Sequence, residues 1–228
     1  MSSAAAPTLE EQLVSVPAGS VTLEGSLTLP KDARAIVLLA HGSGSSRHSP
    51  RNRYVARVLN KARLATLLID LLTVHEEVVD ARTADFRFDI DLLTERLVDA
   101  TDWLTQFPDT KGLPIGYFGA STGAAAALAA AAVRPDAVGA IVSRGGRPDL
   151  ADDMALVRVR APTLLIVGEE DGQVVGLNRQ AFAQLRCEKQ LMIVPGASHL
   201  FEEPGALDEV ARLARNWFQR HLIPAGAS

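Results

Sequence analysis

A single cysteine, Cys187, stands in 228 residues. One thiol cannot form an internal disulfide, and it cannot build a cysteine-based zinc site. Basic residues show no surplus either: 23 Lys and Arg against 27 Asp and Glu leave a net charge of −4. That balance speaks against nucleic acid as a partner. No stretch reaches the ~18 uninterrupted apolar residues that crossing a bilayer requires, so no membrane partner is expected. Residues 1–8 are small and polar and lack the basic and apolar regions of a secretory leader. A loose N-terminus over 1–8 and a cytoplasmic location are therefore the expectations.

What remains is ordinary globular chemistry, with 47% apolar and 22% charged residues. A chain this long can bury a substantial core, and one α/β domain over residues 9–228 is expected. Two β runs, at 12–16 and 21–29, flank a Pro-Ala-Gly-Ser turn and predict an antiparallel hairpin. Six short apolar runs follow, at 35–40, 65–69, 113–118, 137–142, 162–167 and 190–194. Their unbroken hydrophobicity fits strands of a parallel sheet covered on both faces. Helical patterns lie between them, at 51–62, 86–107, 124–133 and 207–221. Residues 70–85, rich in charge, read as a long loop that walls a pocket. Strands alternating with helices predict a doubly wound, mostly parallel sheet, with ligands beyond the carboxyl ends of the strands.

The loop that stands out at those ends is Gly119-Ala120-Ser121-Thr122-Gly123, between an apolar strand and an alanine-rich helix. Gly-x-Ser-x-Gly in that position is the nucleophile-elbow pattern, a turn that lifts the serine hydroxyl clear of the sheet. A serine hydroxyl needs a base to take its proton, and the base needs a third group to hold its tautomer. His199 and Asp171 supply both at later strand ends, in the chain order Ser, Asp, His; Glu169 and Glu170 compete with Asp171 for the third place. His41, His48, His75 and His221 read as solvated residues or local hydrogen-bond partners. For the developing oxyanion, the pattern offers the N–H of Thr122 and one from the loop beginning His41-Gly42-Ser43-Gly44, where Ser43 is the candidate. That Gly/Ser loop lacks the Gly-Lys-Ser/Thr ending of a P-loop and the third glycine of a dinucleotide fingerprint.

Together, His41–Gly44, Gly119–Gly123, the segment from Gly168 to Asp171 and Ser198-His199 resemble the α/β-hydrolase superfamily. Within it the chain resembles the small, lidless dienelactone hydrolase family over residues 12–221. The resemblance implies a three-layer fold without a large lid. It also implies Ser121 as nucleophile, His199 as general base and acid, Asp171 as orienting carboxylate, and Ser43 and Thr122 as oxyanion donors. No cofactor or metal is implied. Dienelactone hydrolases proper carry cysteine at the elbow, whereas this chain has Ser121, and Cys187 lies far off on a helical pattern. The expected activity is therefore hydrolysis of small carboxylic esters or lactones through an acyl-enzyme, without the dienelactone substrate carried over.

Arg144 and Arg147 follow a strand on a Gly-rich loop. Arg144 is the candidate to bind a substrate carboxylate by bidentate pairing, against the alternative that both arginines only fix the loop. Arg47, Arg51, Arg53 and Arg57 form a second basic group at a helix start. Alternatives to the hydrolase are acyl transfer to peroxide or an amine on the same triad, and a ligand-binding protein that kept the scaffold alone. The expected partner is a small ester or lactone, and the composition leaves a homodimer open.

Overall fold

A computed structural model of the chain describes residues 10–224; the segment expected to be loose, 1–8, lies outside them. Eight strands are present: β1 (Glu11–Ala18), β2 (Val21–Thr28), β3 (Ala35–Ala40), β4 (Leu64–Ile69), β5 (Ile115–Ala120), β6 (Val138–Arg144), β7 (Thr163–Gly168) and β8 (Lys189–Val194). The helices are α1 (Pro50–Lys61), α2 (Val74–Thr83), α3 (Ile90–Gln106), α4 (Thr122–Val133), α5 (Asp153–Arg158), α6 (Gly172–Gln184) and α7 (Ala206–Leu222). The sheet runs β1-β2-β4-β3-β5-β6-β7-β8. β1 and β2 form the expected antiparallel hairpin, β2 joins β4 antiparallel, and every later pairing is parallel.

The apolar runs become strands because both faces of the sheet are covered. Along β3, Ile36, Leu38 and Ala40 enter the core under α3 and α4, while Ala35, Val37 and Leu39 enter the one under α1 and α7. Period-two alternation is invisible in the sequence because both sets are apolar. α4 is buried nearly all round, from Thr122 through Ala131. Its alanines let the helix lie close against sheet and neighbours at once, as a helix apolar on every side requires.

Three expectations need correction. The charged stretch 70–85 is largely helix: Thr73 caps α2, its side chain accepting from Glu76 N–H while Glu76 accepts from Thr73 N–H. That capping box is a local signal for a helix start; the weak apolar stripe that followed hid it. Cys187 is not helical but sits between α6 and β8, half-buried against Thr163. The hairpin turn is also tighter than read, with Gly19 at φ +56° and Pro17 within β1. Proline is tolerated there because β1 is an edge strand.

Candidate active site

The strand-to-helix bend at Ser121 shows why its flanks are glycine. Ser121 has φ +51° and ψ −119°, outside the regions a serine ordinarily occupies. A Cβ on Gly119 would lie 2.4 Å from Ala124 Cα, and one on Gly123 2.4 Å from the His41 carbonyl oxygen. Both obstacles are backbone, so neither can swing aside. Two bonds clamp the strained residue: its N–H donates to Arg144 C=O at 3.2 Å, and its C=O accepts from Arg147 N–H at 3.1 Å. The hydroxyl makes no capping bond to its own helix and stays free for other work.

Three loops converge around it. From β3 comes Gly42, where an added Cβ would sit 3.0 Å from Ser121 Cβ. The next residue, Ser43, shares a 3.0 Å hydroxyl contact with Thr122, so the two candidate oxyanion donors are neighbours. Among the described residues neither backbone N–H is taken by another backbone group. Thr122 also opens α4, where the first N–H groups of a helix are unsatisfied and carry partial positive charge.

The loop after β3, which carries Ser43, is held from below by His41. Its Nε2 accepts from Leu71 N–H at 3.0 Å, and its Nδ1 lies 2.9 Å from Gly42 C=O. A backbone N–H can only donate and a carbonyl can only accept, so the proton sits on Nδ1 and the ring is neutral. Burial pushes its pKa below the ordinary value, outweighing the Gly42 carbonyl and the charge of Asp70. His41 is thus a local hydrogen-bond partner, as one reading of the sequence had it, and it ties the ends of β3 and β4 together.

The loops after β7 and β8 bring Asp171 and His199 together, with Nδ1 2.6 Å from Oδ2. The carboxylate accepts, so Nδ1 carries the hydrogen, and in the neutral ring Nε2 then keeps its lone pair. Glu169 is occupied elsewhere: its side chain accepts from Gly196 N–H at 2.9 Å. The geometry therefore pairs the histidine with the third acid of the Glu-Glu-Asp run. Gly168 permits the close approach of these loops, since a Cβ there would lie 2.2 Å from Ala197 C=O. The His199 ring packs over Gly145, the residue after β6, with Nδ1 3.4 Å from where a Cβ would stand.

Arg144 ends β6 with only 6% of its surface exposed. It turns under the His199 loop, with its guanidinium carbon 5.8 Å from the Phe201 ring centre. Burial, with the nearby charge of Arg51, lowers its pKa to about 10, so it remains a cation at neutral pH. Its Nε and Nη1 have no hydrogen-bond partner among the described residues. Arg147, by contrast, is spent on Asp149 through two bonds of 2.8 and 2.7 Å. Three of the other basic group are likewise paired off: Arg47 with Asp70 and Glu24, Arg51 with Glu202, and Arg53 with Glu11.

A cleft of about 410 Å³ opens beside Ser43 and Thr122. Leu71, Leu72 and Leu93 line it, with Glu77, Asp80 and Arg87 of the α2 region adding charge. Sequence reasoning placed the charged stretch 70–85, with Glu77 and Asp80 in it, at a pocket wall but did not single out Leu71, Leu72, Leu93 or Arg87.

The model of the dienelactone hydrolase family matches residues 74–222. A solved structure described as a dienelactone hydrolase from Anabaena variabilis is 63% identical, with TM-score 0.92 over 94% of this chain and 99% of that one. Est1E from Butyrivibrio proteoclasticus shares the fold at TM-score 0.75 and 15% identity, over 91% of this chain and 98% of that one. A Mycobacterium tuberculosis protein provisionally named a phosphoribosyl transferase is 58% identical over 225 residues, 99% of this chain but 50% of its own length. The chain thus spans about half the length of the curated relatives it matches. With an eight-stranded sheet of this order and a family match over most of its length, the chain belongs to the dienelactone hydrolase family of α/β-hydrolases.

Proposed function

We propose that the chain is a serine hydrolase that cleaves small carboxylic esters or lactones through an acyl-enzyme. Ser121 Oγ attacks the carbonyl carbon while His199 Nε2 takes its proton, and Asp171 holds the ring in the tautomer that leaves Nε2 free. Charge building on the carbonyl oxygen meets the N–H groups of Ser43 and Thr122, which are preset and need no rearrangement at the moment of reaction. The imidazolium then protonates the departing alkoxide. Water, deprotonated by the same nitrogen, releases the acid and restores Ser121.

The single observation carrying this reading is the 2.6 Å contact between His199 and Asp171. It joins loops from two different strands beside a serine whose backbone is strained and whose hydroxyl is uncommitted. Ser121 has no bond to His199 among the described residues; in unliganded sites such contacts often tighten only around substrate. Arg144 belongs to the proposal as the contact for an anionic leaving group directed toward the His199 loop, since its two unpartnered N–H groups are the cationic donors left there. The test is turnover of p-nitrophenyl acetate together with labelling by a fluorophosphonate probe. Both should vanish in Ser121→Ala, and persistence of either would remove Ser121 from the mechanism.

The relatives' name offers phosphoribosyl transfer as a second reading. That name belongs to chains about twice as long, and the half matched here carries the hydrolase arrangement. We assign the transferase name to the other half. Pyrophosphate release by this chain from a phosphoribosyl donor would reverse that assignment.

A further inference from the structure

The cleft beside the oxyanion loop lies on one side of the nucleophile only. In the sheet, β3 and β4 stand to one side of β5, while β6, β7 and β8 stand to the other. The cleft is lined from the β3 and β4 side, by the loop after β3, by Leu71 and Leu72 beyond β4, and by α2. Asp171 and His199 stand on the opposite side of β5, on the loops after β7 and β8. None of the residues lining the cleft comes from those two loops.

This asymmetry decides which half of an ester enters. In the first step the Ser121 Oγ–carbon bond forms and the carbon–oxygen bond to the alcohol breaks. The proton from Ser121 passes through His199 Nε2 to the leaving oxygen, which must therefore face His199. The carbonyl oxygen points at Ser43 and Thr122. The remaining substituent, the acyl chain, is left the side away from His199, where the cleft begins.

The cleft chemistry narrows the class of chain. Leu71, Leu72 and Leu93 are buried side chains at its wall, which suits methylenes. Arg87 is the cation there, and Asp80 already holds it: Nε donates to Asp80 Oδ2 at 2.6 Å and Nη2 to Asp80 C=O at 2.8 Å. Glu77 forms no ion pair among the described residues, and the charge of Asp70 beside it is of the same sign. The charged lining of Glu77, Asp80 and Arg87 thus sums to one negative charge, hostile to a carboxylate tail.

Resting on the hydrolase reading above, we infer that this cleft is the acyl subsite and that it selects an uncharged, chiefly aliphatic acyl chain longer than acetyl. The experiment uses two ester series. One keeps p-nitrophenol and lengthens the acyl group from acetate to octanoate; the other keeps acetate and lengthens the alcohol. In the first series kcat/KM should rise about fourfold per methylene until the cleft is full. Ala81, exposed on α2 and lining the cleft, is replaced by tryptophan to fill it. In Ala81→Trp the hexanoate-to-acetate ratio of kcat/KM should fall at least tenfold, and the octyl-to-methyl ratio of the alcohol series should stay within twofold. A p-nitrophenyl half-ester of glutaric acid should be at least tenfold poorer than p-nitrophenyl valerate.

A fall confined to the alcohol series, or no change in either ratio, overturns the acyl assignment. A half-ester matching the valerate ester overturns the exclusion of charge. Fluorophosphonate labelling of Ala81→Trp confirms that it is folded, and Glu77→Trp fills the same cleft should the first variant fail to label. If wild-type protein turns over no ester of either series, the hydrolase reading falls and this inference with it. If esters are cleaved but the ratios do not move, the subsite alone is refuted.

Discussion

Lowering the pH should weaken the fold through His41. The ring is held neutral, with Nε2 accepting from Leu71 N–H, and its pKa lies below the ordinary 6.5 because the site is buried. The unfolded chain binds a proton near pH 6.5, whereas the folded protein does not. Unfolding therefore takes up a proton in that window, and stability falls as the pH drops through 6.5 toward the lower folded value. Each pH unit descended in the window removes about 1.4 kcal/mol. Below 6.5 the loss assigned to His41 grows by at most about 1.4 kcal/mol per pH unit, and it stops growing once the pH passes the lowered folded value. Urea denaturation of wild type and His41→Gln at pH 7.5 and pH 5.5 isolates it, since glutamine can accept from Leu71 N–H but does not titrate. His221, whose pKa is also lowered by burial, is present in both proteins and cancels in the difference. Wild type should lose more stability than the variant over this range, by up to about 1.4 kcal/mol. Parallel losses would refute the neutral, buried tautomer. In His41→Leu the Leu71 N–H loses its acceptor, which should cost about 1–3 kcal/mol at pH 7.5.

The remaining expectations concern the crevice. Ser121→Gly should be inactive yet about 1 kcal/mol more stable than Ser121→Ala in urea, because only glycine occupies φ +51°, ψ −119° without strain; equal stabilities would mean that the bend stores nothing. Asp171→Asn should lower kcat on p-nitrophenyl acetate by a factor of up to about 10⁴, as loss of the orienting carboxylate does in other triads, and a near-wild-type rate would remove Asp171 from that role. Arg144→Ala should reduce kcat/KM more for an ester with a carboxylate on its alcohol than for a neutral one of the same length. An equal loss on both would make Arg144 a support for the His199 loop and not a substrate contact.

The sequence made the sheet legible because parallel strands covered on both faces appear as unbroken apolar runs, and β3, β5 and β7 are of that kind. The elbow was legible because its glycines answer to backbone atoms 2.4 Å away, a constraint that leaves a fixed spacing in the chain. Asp171 could not be separated from Glu169 by pattern. All three acids sit on one short loop, and the choice depends on Gly196 N–H taking the Glu169 side chain. α2 was hidden by exposed Val74 and Val78, which break the polar-outside rule that a helix reading relies on. Arg144 was placed near the site, but its burial was not foreseen. Whether a strand-end side chain turns outward or under a crossing loop depends on Phe201, 57 positions further along the chain.

Departures from local rules in this molecule are not scattered. Of the four non-glycine residues with positive φ among the described residues, Arg63 and Ala84 merely end α1 and α2, where a left-handed residue is an ordinary helix stop. The other two are Ser121 and Phe201, the expected nucleophile and the buried anchor two residues past His199. Arg144, a buried cation without a partner for Nε or Nη1 among the described residues, lies under that anchor. The strained backbone of Ser121, the left-handed Phe201 and the unpartnered Arg144 are each unfavourable for folding alone. Their collection around a single serine is what a chain selected only for stability would avoid. The clustering is therefore evidence for a working site here that does not depend on the motif, on the order of the three residues, or on any relative.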